Sequence, residues 1–300
     1  MKLQDSIQVH YDGNGEDIKS HLMPSLLVAS SVKAFDALCT EAFKEANRVY
    51  NCKVETGTYI EGGFDKGSLK WLQKLVTSQN EAQIETDGCS IQLRVTQAIS
   101  KAVHILLRID TSIPEIVIKE GKDGFEVELG DKNIVADELV CSLITNSKVR
   151  KAISELAKPL ALEGIDKLTI QSCTSSFSDI EVNKDAAVNL TQKREHFYVV
   201  EDGNFTGFYR VEDLSYNPQK AWKFISIEKP SDTFNGTIDD EQFWSSVAAN
   251  EERFARDDVM KLSVSWKKCR KSLTARASTT YVVTSIEHYE GEQMEQCKMF

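Results

Sequence analysis

Residues Pro24 to Tyr50 carry one apolar stripe, and two β-patterned runs broken by glycines follow directly. Val28, Val32, Phe35, Cys39, Ala42, Ala46 and Val49 recur with gaps of four and three. Leu27, Leu38, Phe43 and Tyr50 widen the stripe, while Lys33, Asp36, Glu41, Lys44, Glu45 and Arg48 fall elsewhere. Such spacing predicts a long helix over 24–50 with one buried face. Pro24 suits its first turn, where a missing N–H costs nothing. Beyond it, Lys53–Ile60 and Ser68–Leu75 read as strands joined across Gly62-Gly63 and Gly67. A helix followed by a hairpin excludes an all-helical fold and spoils a pure βαβ rhythm. An α+β domain with a sheet-and-helix core is the expectation.

The rest of the N-terminal half agrees. Ile7–Tyr11 alternates as a strand, and Asp12-Gly13-Asn14-Gly15 reads as a turn. Ser90–Arg108 has a helical face through Ile91, Val95, Ala98, Ile99, Ala102, Val103 and Leu106. Ile116–Ile118 and Phe125–Leu129 form a hairpin, Asp137 caps a helical stretch towards Leu160, and Leu168–Ile170 is a strand. A Ser/Thr-rich stretch at 172–178 marks a boundary, giving domains 1–172 and 173–300. After it the pattern is one of short strands. Ile180, Val182, Ala186, Val188 and Leu190 alternate; a hairpin runs through Phe197–Val200, Asp202-Gly203 and Phe205–Val211; Trp222–Ile227 is a strand. Asp239 caps a short helix through Val247, and Val264 and Trp266 share a strand face with Met260 and Leu262. Tyr281–Ile286 is the last strand, and the tail after Tyr289 reads as polar and frayed. One brief helix among many short strands predicts a small antiparallel β-barrel-like domain.

Composition limits the function classes. A net charge of −10 gives no general affinity for nucleic acid or anionic lipid without a local basic patch. Seven scattered cysteines form no CxxC or CxxH pair, which reads as reduced thiols in a cytoplasmic protein. The N-terminus has no signal-peptide core, and the most apolar run, Ala102–Ile109, is too short to span a bilayer.

No catalytic, cofactor-binding or metal-binding set is expected. Gly13-Asn14-Gly15 occupies the place of a phosphate loop, yet Ile18 stands where the third glycine of a dinucleotide fingerprint belongs, and Asp12, Glu16 and Asp17 repel phosphate. Asp110, Glu120 and Lys122 imitate a D…ExK metal nuclease site. Glu120-Gly121-Lys122 falls at a hairpin tip, a poor platform for converging carboxylates on a cation. His10, His21, His104, His196 and His288 have no metal spacing, and His10 and His104 sit in structured segments. Charge is segregated late in the chain. Glu228–Asp258 holds nine acidic and three basic residues, whereas Val259–Ile286 holds six basic and no acidic ones. Five of the six, Lys267, Lys268, Arg270, Lys271 and Arg276, lie between two predicted strands. They fit either a solvated hairpin that discourages edge pairing or a basic finger for a phosphate backbone or acidic partner.

Gly62-Gly63, Gly67-Ser68-Leu69, and Ile238-Asp239 through Phe243 to Asp258-Val259 carry a resemblance. In them the chain resembles uncharacterised bacterial and prophage two-domain proteins of mobile-element or antiphage systems. That resemblance implies a setting and transfers no functional residue. The expected function is a non-enzymatic protein-interaction component, a sensor, adaptor or inhibitor in a phage–host system. Its expected partner is a protein, with self-association through helix 24–50, where Cys39, Ala42 and Ala46 suit close backbone approach. A nucleic-acid-binding protein using 267–276 and a metal-dependent nuclease are the alternatives.

Overall fold

The computed structural model describes residues 5–16, 24–64, 69–77, 90–109, 112, 115–121, 124–130, 132–173, 178–192, 195–254 and 258–289. The chain divides into two compact units, Met1–Phe197 and Tyr198–Phe300.

The first unit is built on a five-stranded sheet of order β2-β3-β1-β7-β8, antiparallel throughout, from β1 (Asp5–Asp12), β2 (Thr56–Phe64), β3 (Leu69–Thr77), β7 (Lys167–Ser172) and β8 (Ile180–Asn183). Val9 lies between Trp71 and Ile170, so their side chains share one face. On that face Ile7, Val9, Tyr11, Trp71, Leu75, Leu168 and Ile170 are buried. The other face is polar, with Gln8 bonded to Gln171, and Lys74 and Lys167 paired to Glu61 and Glu181. This is the one-sided burial usual for an antiparallel sheet.

Helices cover the apolar face: α1 (Ser25–Val49), α2 (Ile91–Arg108), α3 (Glu138–Thr145), α4 (Ser147–Ala157) and α5 (Lys184–Thr191). Tyr11 anchors sheet to helix by donating its hydroxyl to the Leu156 carbonyl of α4 at 2.7 Å. Burial raises the Tyr11 pKa well above the usual phenol range, so the donor persists. Asp137 caps α3 as expected, and the stretch breaks at Asn146, whose side chain accepts from Lys148 and Val149 to start α4. Between α3 and the second hairpin strand lies an element the sequence did not announce. β4 (Glu115–Gly121), β5 (Gly124–Leu129) and β6 (Lys132–Ala136) form a three-stranded meander.

The long helix is present over nearly its full expected span, and its stripe is consumed inside the unit. Ser31, Ala34, Phe35, Leu38, Cys39, Ala42, Phe43 and Ala46 are buried, and α1 packs most extensively on α4. The small residues thus admit an intramolecular neighbour. The N-terminal turns stay open, with Leu26 82% exposed. Asn47 fixes the exit of the helix: its amide donates to the Val54 carbonyl and its oxygen accepts from the Val54 N–H.

Asp12–Gly15 is a turn, and its glycines have a packing reason. A Cβ on Gly13 would stand 1.9 Å from the Gly164 carbonyl oxygen, and one on Gly15 2.7 Å from the Gly164 Cα. The Asn14 N–H is already given to Asp166 and that of Gly15 to Gly164. Two backbones cross here, and no amide of Asn14 or Gly15 is left for a phosphate.

The expected division after residue 172 falls instead after 197. Ile180–Asn183 pairs with β7, and Asn183 then caps α5, so the 180–190 alternation is half strand and half helix. The second unit holds β9 (Glu195–Asp213) from Tyr198 onward, with β10 (Trp222–Ser226), β11 (Thr233–Ile238), α6 (Glu241–Ala248), β12 (Val259–Arg270) and β13 (Ser278–Tyr289). Asp202-Gly203 is no turn: β9 runs straight through it, paired along its length with β12. Its glycine is needed because the Trp266 indole lies 3.1 Å from where a Cβ would be. The helix cap is Asp240 rather than Asp239. One Asp240 oxygen accepts from the Phe243 N–H at 3.0 Å and the other from the Ile286 N–H at 3.0 Å.

Counting only strands of this unit, each of the five has two neighbours. β9 pairs with β12 and β10, β10 with β11, β11 with β13, and β13 with β12. The β11–β13 pairing is parallel, which corrects the purely antiparallel expectation. Inside the circuit Trp222, Phe224, Leu262, Val264 and Val283 are buried to 1% exposure or less. At roughly 1.5–3 kcal/mol for each such side chain, this cluster dominates the unit's stability.

Candidate polyanion-binding hairpin

The five cations predicted from sequence converge on the β12–β13 hairpin. Alternation sets their direction. Met260, Leu262 and Val264 point inward and Trp266 follows them, half-buried over Gly203. Lys267 therefore points out, and a register shift between Lys268 and Cys269 re-aims the residues beyond it. The turn is built by the Ala275 N–H donating to the Ser272 carbonyl and by the Arg270 guanidinium donating to the Leu273 carbonyl at 3.2 Å.

The five are not equivalent. Arg270 holds the turn, and Lys268 is paired with Glu201 of β9 at 3.3 Å. Lys267, Lys271 and Arg276 are exposed and have no carboxylate partner among the described residues. They are the three charges available to a ligand.

Next in the unit is an aromatic group. Phe234 is met by the rings of Phe205, Tyr209 and Tyr281 at 5.8, 5.2 and 4.9 Å, and those three are only partly buried. Burial, aided by Asp232 and Glu228, raises the Tyr209 pKa. The β9–β10 loop adds Tyr216, 69% exposed, on a turn held by Asn217 and by the Trp222 indole donating to the Ser215 carbonyl at 2.7 Å. Neither the aromatic set nor the loop was singled out in the sequence. Both follow only once β9 is known to pair on two sides.

The other candidates separate. Asp110 and Lys122 lie outside the described residues, and Glu120 sits exposed at the end of β4 opposite Phe125. His104 bonds its own helix at Ser100, and His10 is half-buried in β1. His21, the His196 side chain and the tail after Tyr289 lie outside the described residues. The role of His288 has no local signature in the sequence. Its Nδ1 meets Glu252 at 2.8 Å, its Nε2 meets Asp258 at 3.1 Å, and its ring stacks on Phe254. The ring bridges the two carboxylates and so ties the segment after α6 onto β13. Among the described residues no group of three or more His, Cys, Asp or Glu side chains could hold a metal ion. No helix among them is long and apolar enough to cross a membrane.

Cys39 and Cys141 are buried; burial pushes the Cys39 thiol far up and the Cys141 thiol up to about 12, so neither is a nucleophile at neutral pH.

No protein-family model matches this chain, and no curated protein or solved structure matches it either.

Proposed function

We propose that the chain is a binding protein whose second unit forms a small closed barrel and takes up single-stranded nucleic acid along the β12–β13 hairpin. The observation that carries this reading is the closed circuit of pairings, β9-β10-β11-β13-β12 and back to β9, with one helix between the third and fourth strands. That order is the one of oligonucleotide- and oligosaccharide-binding barrels, which engage ligands through the second and third strands and the loops after the first and fourth. The likeness is one of topology. It becomes specific through chemistry. The loop after the first strand presents Tyr216, and the hairpin after the fourth presents Lys267, Lys271 and Arg276. A stacking ring and unpaired cations are what a flexible phosphate backbone with exposed bases requires. In the phage–host setting that the resemblance implies, such a protein would serve as a sensor or adaptor.

The test is fluorescence anisotropy with a labelled oligothymidine and with a duplex of equal length. Three phosphate contacts give a log–log salt slope of about −2, so affinity falls roughly twentyfold between 50 and 200 mM salt. Reversing all three free cations (K267E, K271E, R276E) should abolish binding. Tyr216→Ala should weaken binding about fivefold or more at unchanged salt slope, since stacking is worth roughly 1–3 kcal/mol per base. No binding to either oligonucleotide at 50 mM salt, or binding indifferent to the triple reversal, would overturn the proposal.

A further inference from the structure

A cavity of about 670 Å³ in the first unit lies between α4, the C-terminal turn of α5 and the apolar residues beneath them. Its size falls within the ~300–1,000 Å³ typical of small-molecule sites. Residues of α4 spaced by three and four bring Ser147, Arg150, Lys151 and Ser154 to its wall, and Lys158 stands at the end of the same helix. The floor is Leu106, Ile116 and Leu190, each no more than 7% exposed. Three cations and one carboxylate, Glu155, line the space, a formal +2 within a chain of net −10. Glu155 is taken by Lys158 at 2.6 Å.

A solvated helix face has charges but lacks such a floor. Lys148, one turn back on the same helix, is the contrast: it is outside the cavity lining and turns towards Glu41 at 3.7 Å. Arg150 and Lys151 border a half-open space with hydroxyls beside them and an apolar base below. We propose that this cavity binds an organic anion of nucleotide size, its ring on the Leu106–Ile116–Leu190 floor and its charged group against Arg150 and Lys151. Phosphate and carboxylate groups meet the same cations equally well, and the experiment separates them. The inference does not depend on the second unit's role.

The experiment is isothermal titration calorimetry of the full chain with adenosine 5′-monophosphate, citrate, inorganic phosphate and uncharged adenosine. Binding of the nucleotide, at least tenfold tighter than adenosine, supports an organic phosphate. Binding of citrate in its place supports an organic carboxylate. Lys151→Glu should weaken whichever anion binds by tenfold or more, Lys151→Arg should retain it, and Ser154→Trp should block it by filling the space. Circular dichroism of each variant separates loss of the site from loss of the fold. No heat with either organic anion, inorganic phosphate as the sole ligand, equal binding of adenosine, or wild-type affinity in K151E would each overturn the proposal. If the cations served only to offset the C-terminal carbonyls of α5, K151E would lower the melting temperature and no anion would bind.

Discussion

Gly13→Ala is the substitution for which the structure supplies the clearest magnitude. The new methyl would stand 1.9 Å from the Gly164 carbonyl oxygen, 2.8 Å from its carbon and 2.9 Å from the Ile165 Cα. All three obstacles are backbone, so no rotamer change relieves them. One strand of the crossing has to retreat by more than an ångström. Retreat breaks the Gly15 N–H bond to Gly164 at 3.1 Å and strains the Asp166 N–H bond to the Asp12 carbonyl at 2.9 Å. Overpacking costs about 1–3 kcal/mol. Each lost hydrogen bond adds about 0.5–1.5 kcal/mol. Together they put the loss near 2–5 kcal/mol, a large part of a domain's usual stability of about 5–15 kcal/mol. Gly164→Ala meets the same crossing from the other side, at 2.6 Å from the Gly15 Cα, with a φ of +85° that disfavours any side chain. Gly57→Ala is the control. Its nearest neighbour is the movable Tyr59 ring at 3.3 Å, and reduced chain entropy makes it neutral or stabilising by up to about 1 kcal/mol.

Native-state hydrogen exchange on peptides of β1 and β3 is the appropriate assay, because it reads the first unit without contribution from the second. Gly13→Ala and Gly164→Ala should each lower the protection free energy of these peptides by the stated amount, with Gly57→Ala unchanged or raised. A Gly13→Ala loss below about 0.5 kcal/mol, inside the range of ordinary surface substitutions, would refute the crossing argument.

Three further outcomes are expected. Asp240→Ala removes both the α6 cap and the bond to the Ile286 N–H and should cost about 1–3 kcal/mol in urea unfolding, whereas Asp239→Ala, one residue away and exposed, should cost under about 0.5 kcal/mol. His10 has its pKa lowered, first by burial and then by Lys70 and Lys167 against the opposing Asp12. The unfolded chain then binds the proton more readily, so stability present above about pH 6.5 is lost as pH falls towards the folded value; His10→Gln should flatten that part of a stability–pH curve, and an unchanged curve would contradict the assignment. Glu201→Gln releases Lys268 from its pair and should steepen the salt slope of oligothymidine binding by about 0.7, with affinity rising at low salt.

How much of this was legible in the sequence follows from the range of the interactions involved. Helix α1 could be read because its stripe repeats over 25 residues, and α2 because Ser90 caps a regular face. Strand β12 could be read because Met260, Leu262 and Val264 alternate before the cations begin. The failures share a cause. Asp202-Gly203 has the local chemistry of a hairpin turn, yet Gly203 is there for the Trp266 indole, more than sixty residues away. β11 was missed because Gly236 occupies an inward position, where the Phe234 ring fills the space a side chain would take. β8 and α5 merge in sequence because Asn183 ends one and caps the other. The cations were found, but their inequality was not. Only the pairing of β9 with β12 sets Glu201 against Lys268.

That inequality bears on how an acidic chain could hold a polyanion. The run from Val259 to Ile286 carries six positive charges and no negative one, so sequence alone makes the whole hairpin a basic patch. Folding brings β9 alongside: Glu201 and Asp202 stand opposite Lys268 and Lys267 in the strand register, and of these two positions it is Lys268 that forms an ion pair, with Glu201. Of the five cations in the finger, one is neutralised and one is spent on the turn, and the remaining three surround its outer end. Three charges give weak, salt-sensitive attraction and no sequence reading. Discrimination between single strand and duplex would then rest on the rings, because a base must be unstacked to meet Tyr216. An oligothymidine that binds no better than a duplex would remove the aromatic part of the proposal and leave the hairpin as a general anion contact.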